Sequence, residues 1–265
     1  MSEIKIALAQ INPKLGDLKY NLEKHKEFIL DAKTNEADLI IFPEKSLTGS
    51  YLKDLTYEVA LKEDSSFLLD LYELSQDIGI LFGFVEESKN FEYFSSSLLL
   101  FNKKIFFKHR KVFLPSNIFN EKIFLKEGNT LEKAEFLSFN LGPIFSEEAK
   151  HIVSYLNLLY SDIIIVQADL PYRKDIENFY LNLGKVISTL LGSYFIFVNR
   201  VGFEDGIYFW GNSFAYSPKG ELLLILSEKE EISYINLNKE EIKEARISLP
   251  LIKEWDRYFN LFPTK

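Results

Sequence analysis

Three short segments of this 265-residue chain place a reactive side chain where a predicted strand ends. Glu44 follows an apolar run and a proline in "IIFPEKSLTG", Lys111 lies in the basic segment "KHRKVFLP", and Ser146 ends the apolar stretch of "LGPIFSEEA". A carboxylate, an ammonium group and a hydroxyl are group types used for proton transfer, charge stabilisation and nucleophilic attack. Catalytic side chains are often held at the ends of rigid elements, so these segments are candidates for one site.

Each segment taken alone also has an ordinary structural explanation. Glu44 is typical of an acidic turn residue, and Lys111 belongs to a basic run of the kind that usually forms a solvated surface. Ser146, with Glu147 and Glu148 after it, is typical of a helix N-cap followed by acidic residues in the first turn. The combination of segments is therefore more informative than any one of them.

The elements that would position these residues alternate between strands and helices. Residues 4–9 and 37–43 have the apolar patterns of strands, and residues 20–37 carry apolar side chains at helical spacing. The later predicted elements are a helix over 65–79, strands at 80–85, 95–101 and 103–109, two strands within 134–145, a helix over 147–160, a strand at 162–167, a helix over 175–192 and strands at 194–199, 209–217, 220–226 and 231–236. The hairpins argue against a simple doubly wound sheet or a barrel. They favour an α/β fold in which two sheets pack face to face with helices outside.

The length predicts a single domain over residues 1–265. The segment from about 247 to 265, "ISLPLIKEWDRYFNLFPTK", carries aromatic residues beyond the last predicted strand. It is expected to form a C-terminal arm that packs either on a partner subunit or on its own chain.

Composition limits the classes of function. The net charge of −8 and the shortness of the basic runs argue against nucleic-acid binding. The chain has no cysteine and three scattered histidines, so neither a thiolate nucleophile nor a metal-ligand cluster is expected, and no cofactor is implied. No apolar run reaches the length of a membrane span and no secretion signal is recognisable, so a cytoplasmic protein is expected.

In this order and with their flanks, the three segments resemble the nitrilase superfamily of carbon-nitrogen hydrolases over nearly the whole chain. The glutamate of the family's "FPE" matches Glu44, the lysine of "K-x-x-L-P" matches Lys111 in "KVFLP", and the cysteine of "G-V-x-I-C-E-D" falls on Ser146. Downstream, "FVNRVG" and "FWGNSFAYSPKGELL" are similar to the family's "VNQVG" and "DGGSFVVDPDGE". The resemblance implies a four-layer α-β-β-α sandwich and a dimer or larger homo-oligomer.

One branch of the superfamily is similar over longer stretches. "IALAQINPKLGDLKYNLEK" and "FPEKSLTGSYLKDL" resemble the opening of the glutaminase domain of glutamine-dependent NAD synthetase. "LPSNIFNEKIFLKEGN" resembles the segment that carries the second acidic residue of that branch, which falls on Glu121. The synthetase half, with its "SGGxDS" loop, is absent from this sequence. The resemblance implies a small amide or carboxylate as ligand, and a separate NAD synthetase as a possible partner.

The resemblance also implies a role for each matching residue. In the family, the glutamate takes the proton of the cysteine, the thiolate attacks an amide or nitrile carbon, and the lysine stabilises the oxyanion. Glu44 would be the general base, Lys111 the oxyanion donor, Glu121 a second acid or positioning group, and position 146 the nucleophile. Serine does not suit this scheme, because its hydroxyl is far less acidic than a thiol and normally needs a strong base.

Positions expected around the substrate differ from the family pattern too. The tyrosine of "LTGYP" is replaced by Ser50, with Tyr51 displaced by one position. The small residues of "S-A-S-P-Y" give way to Asp169 and Leu170 in "ADLPY". Glu147, next to the nucleophile position, completes the predicted substrate-binding set.

Three explanations of Ser146 remain open. A natural loss of the nucleophile would allow other residues of the pocket to change as well. An engineered replacement would leave the rest of the pocket unchanged. In the third explanation, the serine itself acts as a slow nucleophile. The pocket changes favour natural loss. The sequence therefore suggests a pseudoenzyme that serves as a binding or regulatory subunit, with an active amidase or glutaminase as the alternative.

Overall fold

The computed structural model describes residues 2–115 and 120–261. The helices are α1 Leu18–Thr34, α2 Thr56–Val59, α3 Leu69–Leu74, α4 Ile152–Asn157, α5 Lys174–Leu191, α6 Lys239–Ser248 and α7 Leu251–Leu261. The strands are β1 Glu3–Gln10, β2 Leu39–Ile41, β3 Gly79–Glu87, β4 Tyr93–Phe101, β5 Lys104–Arg110, β6 Ala134–Phe136, β7 Phe139–Phe145, β8 Ile163–Gln167, β9 Tyr194–Val198, β10 Val201–Glu204, β11 Ile207–Trp210, β12 Phe214–Tyr216, β13 Leu222–Ile225 and β14 Glu231–Asn238. Residue 1, part of the "LPSNIFNEKIFLKEGN" segment (116–119) and the end of the predicted arm (262–265) lie outside the described residues.

Two sheets bring several strand ends to the same region. Their strand orders are β14-β1-β2-β3-β4-β5 and β13-β12-β9-β8-β7-β6. Strands β1, β2 and β3 run parallel to one another, as do β7, β8 and β9. Strand β4 pairs antiparallel with both β3 and β5, so β5 runs in the same direction as β3. Gln167, at the end of β8, donates a 2.7 Å hydrogen bond to the carbonyl of Phe42, just after β2. The carboxyl ends of the two sheets therefore meet, as ligand sites of parallel sheets commonly do.

Three apolar layers hold the two sheets and their helices together. Between the sheets, Ile6 and Ile41 belong to the same buried cluster as Ile163 and Ile196. A second cluster joins the other face of the first sheet to α1 and α3, and a third joins the other face of the second sheet to α4 and α5. The central strands are apolar on both faces, as expected of strands covered on both sides. The four-layer α-β-β-α sandwich is confirmed.

The helix predicted over 147–160 is wrong as a single element. A 3-10 turn at Glu148–Lys150 is followed by His151 in an extended conformation, and α4 starts only at Ile152. The Glu148 carboxylate folds inward and accepts a 2.7 Å bond from the amide of Phe145, which holds this segment in a turn. Ser146 is therefore not a helix N-cap, and that explanation of the residue is wrong.

The strand predicted over 209–217 is divided into β11 and β12. Gly211 has a φ of +70° between them, and its amide donates to the carbonyl of Arg200. A left-handed φ of this kind is readily adopted by glycine and ends the regular strand. The first half of the predicted strand pairs with β10, which the sequence analysis did not predict.

The C-terminal segment packs on its own chain. Helix α7 contributes Ile252 to the cluster that covers the second sheet, and Trp255 packs against the same cluster. This agrees with one of the two expected positions of the arm. In the part of the chain that the structure describes, no helix has the length and apolarity needed to cross a membrane.

Candidate active site

The predicted catalytic residues converge where the two sheets meet. Glu44 follows β2, Lys111 follows β5, Ser146 follows β7 and Asp169 lies two residues beyond β8. Glu121 reaches them from a 3-10 turn. All five are at most 5% exposed, so residues separated by more than a hundred positions share one buried site.

Lys111 joins two carboxylates. Its Nζ donates to Glu44 Oε1 at 2.7 Å and to Glu121 Oε2 at 2.9 Å. The backbone amide of Lys111 donates to the carbonyl of Ser95 in β4, and the Ser95 hydroxyl donates to Glu44 Oε1 at 3.1 Å. Strands β4 and β5 therefore fix both the lysine and the glutamate.

Lys45 is part of the same site, although sequence reasoning missed it. Its Nζ binds the Glu121 carboxylate in a short ion pair and lies 3.0 Å from Asp169 Oδ2 and 3.8 Å from Glu44 Oε1. The backbone of Lys45 has a left-handed φ of +49°, a conformation that costs energy in a non-glycine residue and is common at functional sites. A Cβ at position 83 would lie 2.5 Å from the backbone nitrogen of Lys45. Gly83 therefore allows the backbone turn at Lys45 to pack on β3.

Three carboxylates and two ammonium groups leave the cluster one negative charge in excess. Burial, and then the charge of Asp169, raise the pKa of Glu44 from its usual 4.5 to about 8, although both lysines act in the opposite direction. Burial also raises the pKa of Asp169. Burial alone would raise the pKa of Glu121 as well. The attraction of Lys111 and Lys45 outweighs burial and lowers the pKa of Glu121 to about 2.

The charge balance decides the protonation state near neutral pH. Burial alone would lower the pKa of Lys111 and Lys45, but the carboxylates outweigh burial and raise it, so both lysines stay charged. One retained proton then makes the cluster neutral. Glu44 and Asp169 both have raised pKa values, so either of these two carboxyls can hold that proton.

The three carboxylates could in principle suggest a metal site. One oxygen each of Glu44, Glu121 and Asp169 lies within 4.8 Å of the others. Lys45 and Lys111 already contact these groups and balance most of their charge. The residues therefore do not fit a cation, because it would have to displace or repel two buried ammonium groups.

Ser146 opens onto a cavity of about 120 Å³, here called the Ser146 cavity. It is lined by Lys111, Pro115, Ser146, Glu147, Lys150, Asp169, Leu170, Pro171, Arg173 and Ile176. Within the described ranges, the hydrogen bonds of Ser146 come from its backbone: the amide donates to the carbonyl of Gln167, and the carbonyl accepts from the Tyr180 hydroxyl. The side chain has no hydrogen bond there to Glu44 or Lys111.

The two glutamates after Ser146 have different environments. Glu147 lines the Ser146 cavity and pairs with Lys150 at 2.6 Å. Glu148 is fully buried and accepts from His109 Nε2 at 2.8 Å, and from the amides of Val112 and Phe145. Glu148 was not among the predicted site residues. An acidic pair after a serine gives no indication of which member turns inward.

Ser50 and Tyr51 lie apart from the Ser146 cavity. They line a narrow cleft, here called the Ser50 cleft, together with Lys45, Leu52, Lys53, Thr56, Val85, Glu121, Phe124 and Leu125. The amides of Ser50 and Tyr51 donate to the Glu204 carboxylate, and Arg200 binds Glu204 and the Ser50 hydroxyl. Leu170, by contrast, lines the Ser146 cavity, where its amide donates to Asn199 Oδ1 at 3.0 Å.

Comparison with known proteins decides the family of the chain. The sequence profile of the family described as carbon-nitrogen hydrolase matches residues 5–247. The chain belongs to the carbon-nitrogen hydrolase family. A nitrilase from Pyrococcus abyssi is 28% identical over 271 residues, which cover 94% of this chain and 92% of that protein.

This carbon-nitrogen hydrolase family member is also similar to part of a larger enzyme. The glutamine-dependent NAD(+) synthetase of Acinetobacter baylyi is 28% identical over 251 residues, which cover 93% of this chain but 46% of that protein. The solved structure of the synthetase from Acinetobacter baumannii, in complex with ADP, has a TM-score of 0.82 and 27% identity over 91% of this chain and 46% of that one. The chain thus spans about half the length of the synthetases it matches.

A third comparison concerns the fold alone. A carbon-nitrogen hydrolase superfamily protein from Xanthomonas campestris has a TM-score of 0.86 over 96% of this chain and 97% of that chain, at 16% identity. The sandwich of this chain is therefore that of the superfamily.

Proposed function

We propose that this carbon-nitrogen hydrolase family member binds a small amide or carboxylate and does not turn it over at neutral pH. The ligand would occupy the Ser146 cavity, whose lining includes Lys111 and the apolar side chains of Leu170 and Ile176. A concave site with an apolar wall and a few convergent polar groups is typical of small-molecule binding. Such a site is sufficient for a non-catalytic binding or regulatory subunit.

The serine at position 146 is the observation that carries the proposal, and the raised pKa of Glu44 supports it. Burial and the surplus of carboxylates raise the pKa of Glu44 to about 8, so only a minor fraction of this carboxyl is ionised at neutral pH. In our proposal Ser146 stands at the nucleophile position, so the reaction would need a strong base for a weakly acidic hydroxyl. The Ser146 side chain has no hydrogen bond to Glu44 within the described residues, which also argues against proton transfer between them.

Lys111 and Glu121 would act as binding and positioning groups. Lys111 can offer positive charge to a carbonyl or carboxylate oxygen, and Glu121 holds Lys111 at 2.9 Å. Glu147 and Asp169 line the same cavity together with Lys150 and Arg173, so charges of both signs face the ligand. Ser50 and Tyr51 would contribute to ligand binding only if a ligand reached the Ser50 cleft.

The second candidate is an active amidase or glutaminase whose cysteine at position 146 was replaced by serine through engineering. The contacts among Glu44, Lys111 and Glu121 favour it, because the groups that would assist a thiolate are already assembled. In that case the chain could supply ammonia to a separate NAD synthetase.

Ammonia release from glutamine and from simple amides tests the proposal, using the chain as it stands and its Ser146→Cys variant. We expect no release above the buffer background from the serine form. Release by the serine form would contradict the proposal. Turnover of glutamine by Ser146→Cys at an ordinary enzymatic rate, on the order of 1 per second or more, would favour the second candidate instead.

A further inference from the structure

Buried ion pairs of Lys45 with Glu121 and Asp169 lie between the Ser146 cavity and the Ser50 cleft and are here called the partition. Asp169 lines the first and Glu121 lines the second. Lys45 Nζ contacts the carboxylates of both residues, so its side chain crosses the space between the two hollows. The Ser146 cavity measures about 120 Å³ on one side, and only about 20 Å³ of space remains in the Ser50 cleft on the other.

The partition is held firmly in place. Lys45 is 1% exposed, and its backbone turn packs directly on Gly83 of β3. If the Lys45 side chain moved away, Glu121 and Asp169 would keep buried charges with one fewer partner. That arrangement is strongly unfavourable in a buried site. The lysine therefore behaves as part of the wall and not as a mobile gate.

We propose that Lys45 and Asp169 determine which ligands this site accepts, by confining them to the Ser146 cavity. Short amides or carboxylates fit, whereas ligands whose chain would have to extend into the Ser50 cleft are excluded. This inference rests on the proposed function, because it takes position 146 as the point nearest the ligand's carbonyl carbon.

Labelling of a thiol at position 146 measures the size limit without requiring catalysis. The Ser146→Cys variant is treated with iodoacetamide and, separately, with an iodoacetamide that carries an N-butyl chain, and the labelled fraction is followed by intact mass. The same two reagents are applied after the additional changes Lys45→Ala and Asp169→Ala, which remove one charge of each sign. Lys45→Leu with Asp169→Ala is a milder version if the first pair impairs folding. Lys219→Ala with Glu244→Ala, an exposed ion pair at 2.9 Å, is the matched control.

The ratio of the two labelling rates is the readout. Opening the partition should raise the rate with the N-butyl reagent relative to iodoacetamide by about tenfold or more, the scale on which a reshaped pocket discriminates between chain lengths. The control pair should leave the ratio unchanged. An unchanged ratio in the folded, opened variant, with iodoacetamide still reacting, would overturn the role of Lys45 and leave the proposed function intact. If neither reagent labels position 146 in any variant, both the site assignment and the partition are wrong.

Discussion

At the scale of single residues, the site depends on pairing opposite charges in a buried cluster. Glu44, Lys45, Lys111, Glu121 and Asp169 are each almost inaccessible to solvent. A buried ion pair often adds little net stability, yet removal of one partner is costly because the other charge remains buried. The two lysines and three carboxylates should therefore respond to mutation as a unit.

Replacing Lys45 alone should destabilise the protein more than replacing Lys45 and Asp169 together. Lys45→Leu leaves the negative charge of Glu121 and Asp169 with less compensation, at an expected cost of about 3–5 kcal/mol in the free energy of unfolding. Adding Asp169→Ala should recover a large part of that loss. Urea unfolding of the two variants measures the difference, and equal stabilities would show that the residues do not act as a pair.

Glu44→Gln should stabilise the protein more at pH 8.5 than at pH 5. The pKa of Glu44 is about 8 in the folded chain against its usual 4.5, so the unfolded chain binds fewer protons between these values and stability falls as pH rises through them. Glutamine resembles the protonated acid and removes this dependence. The difference between the two pH values should be on the order of a few kcal/mol.

Glu121→Gln provides the control for this pH dependence. The pKa of Glu121 is lowered to about 2, so its carboxylate contributes stability above pH 4.5 that is lost as pH falls towards 2. Its replacement should therefore destabilise the protein at neutral pH. If the effect of Glu44→Gln does not vary with pH, Glu44 is ionised in the folded state and the account of the cluster is wrong.

Sequence reasoning found most of this cluster but not all of it. Glu44, Lys111 and Ser146 were recognisable because each follows a predicted strand and falls on a position of a family motif. Lys45 was not, because a lysine in a polar turn is usually solvated. Its burial depends on Glu121 and Asp169, which are far away in sequence.

At the scale of elements, Glu148 connects the ends of β5 and β7, which carry Lys111 and Ser146. Its carboxylate binds His109 of β5, the amide of Val112 just beyond β5, and the amide of Phe145 at the end of β7. One buried side chain thus fixes the spacing between the two strands.

Glu148→Ala should destabilise the protein by about 2–4 kcal/mol, because two backbone amides and His109 would lose a buried acceptor. Glu147→Ala is the matched control, since the Glu147 carboxylate pairs with Lys150 in a partly exposed ion pair that should contribute less than about 1 kcal/mol. Urea unfolding distinguishes them. Similar losses for the two neighbours would mean that Glu148 does not connect the strands.

Glu148 also explains why the helix predicted over 147–160 is not continuous. Apolar periodicity predicts long amphipathic helices such as α5 and fully buried strands such as β8, because their patterns reflect burial directly. The helix predicted over 147–160 has a suitable pattern as well. It is interrupted because Glu148 bonds to other strands, and those tertiary contacts are not encoded in the local pattern.

At the scale of the whole molecule, we propose that helices α4 and α5 form the contact surface of a homo-oligomer. Ile152 and Val153 of α4 and Phe179 and Val186 of α5 are exposed apolar side chains on the outer layer of the sandwich. Exposed apolar side chains of this kind often mark association surfaces when they form a patch. The association remains a proposal for this chain.

A solution mass measurement should therefore give a dimer or a larger assembly. Val186→Lys with Phe179→Glu should shift the mass towards the monomer, since charged residues at the core of an interface are strongly unfavourable. Substitution of the exposed Leu30 of α1 by lysine is the control and should leave the assembly intact. A stable monomer for the unaltered chain would contradict the proposed interface.

The most direct test of the central claim is the intact mass of the unaltered chain after incubation with acetamide, with glutamine and with a reactive short ester at neutral pH. We expect no covalent change, because the Ser146 hydroxyl is far less acidic than a thiol and has no hydrogen bond to Glu44 among the described residues. A mass increase equal to the acyl group, located on Ser146 by peptide mapping, would show that the serine is a working nucleophile and would contradict the account.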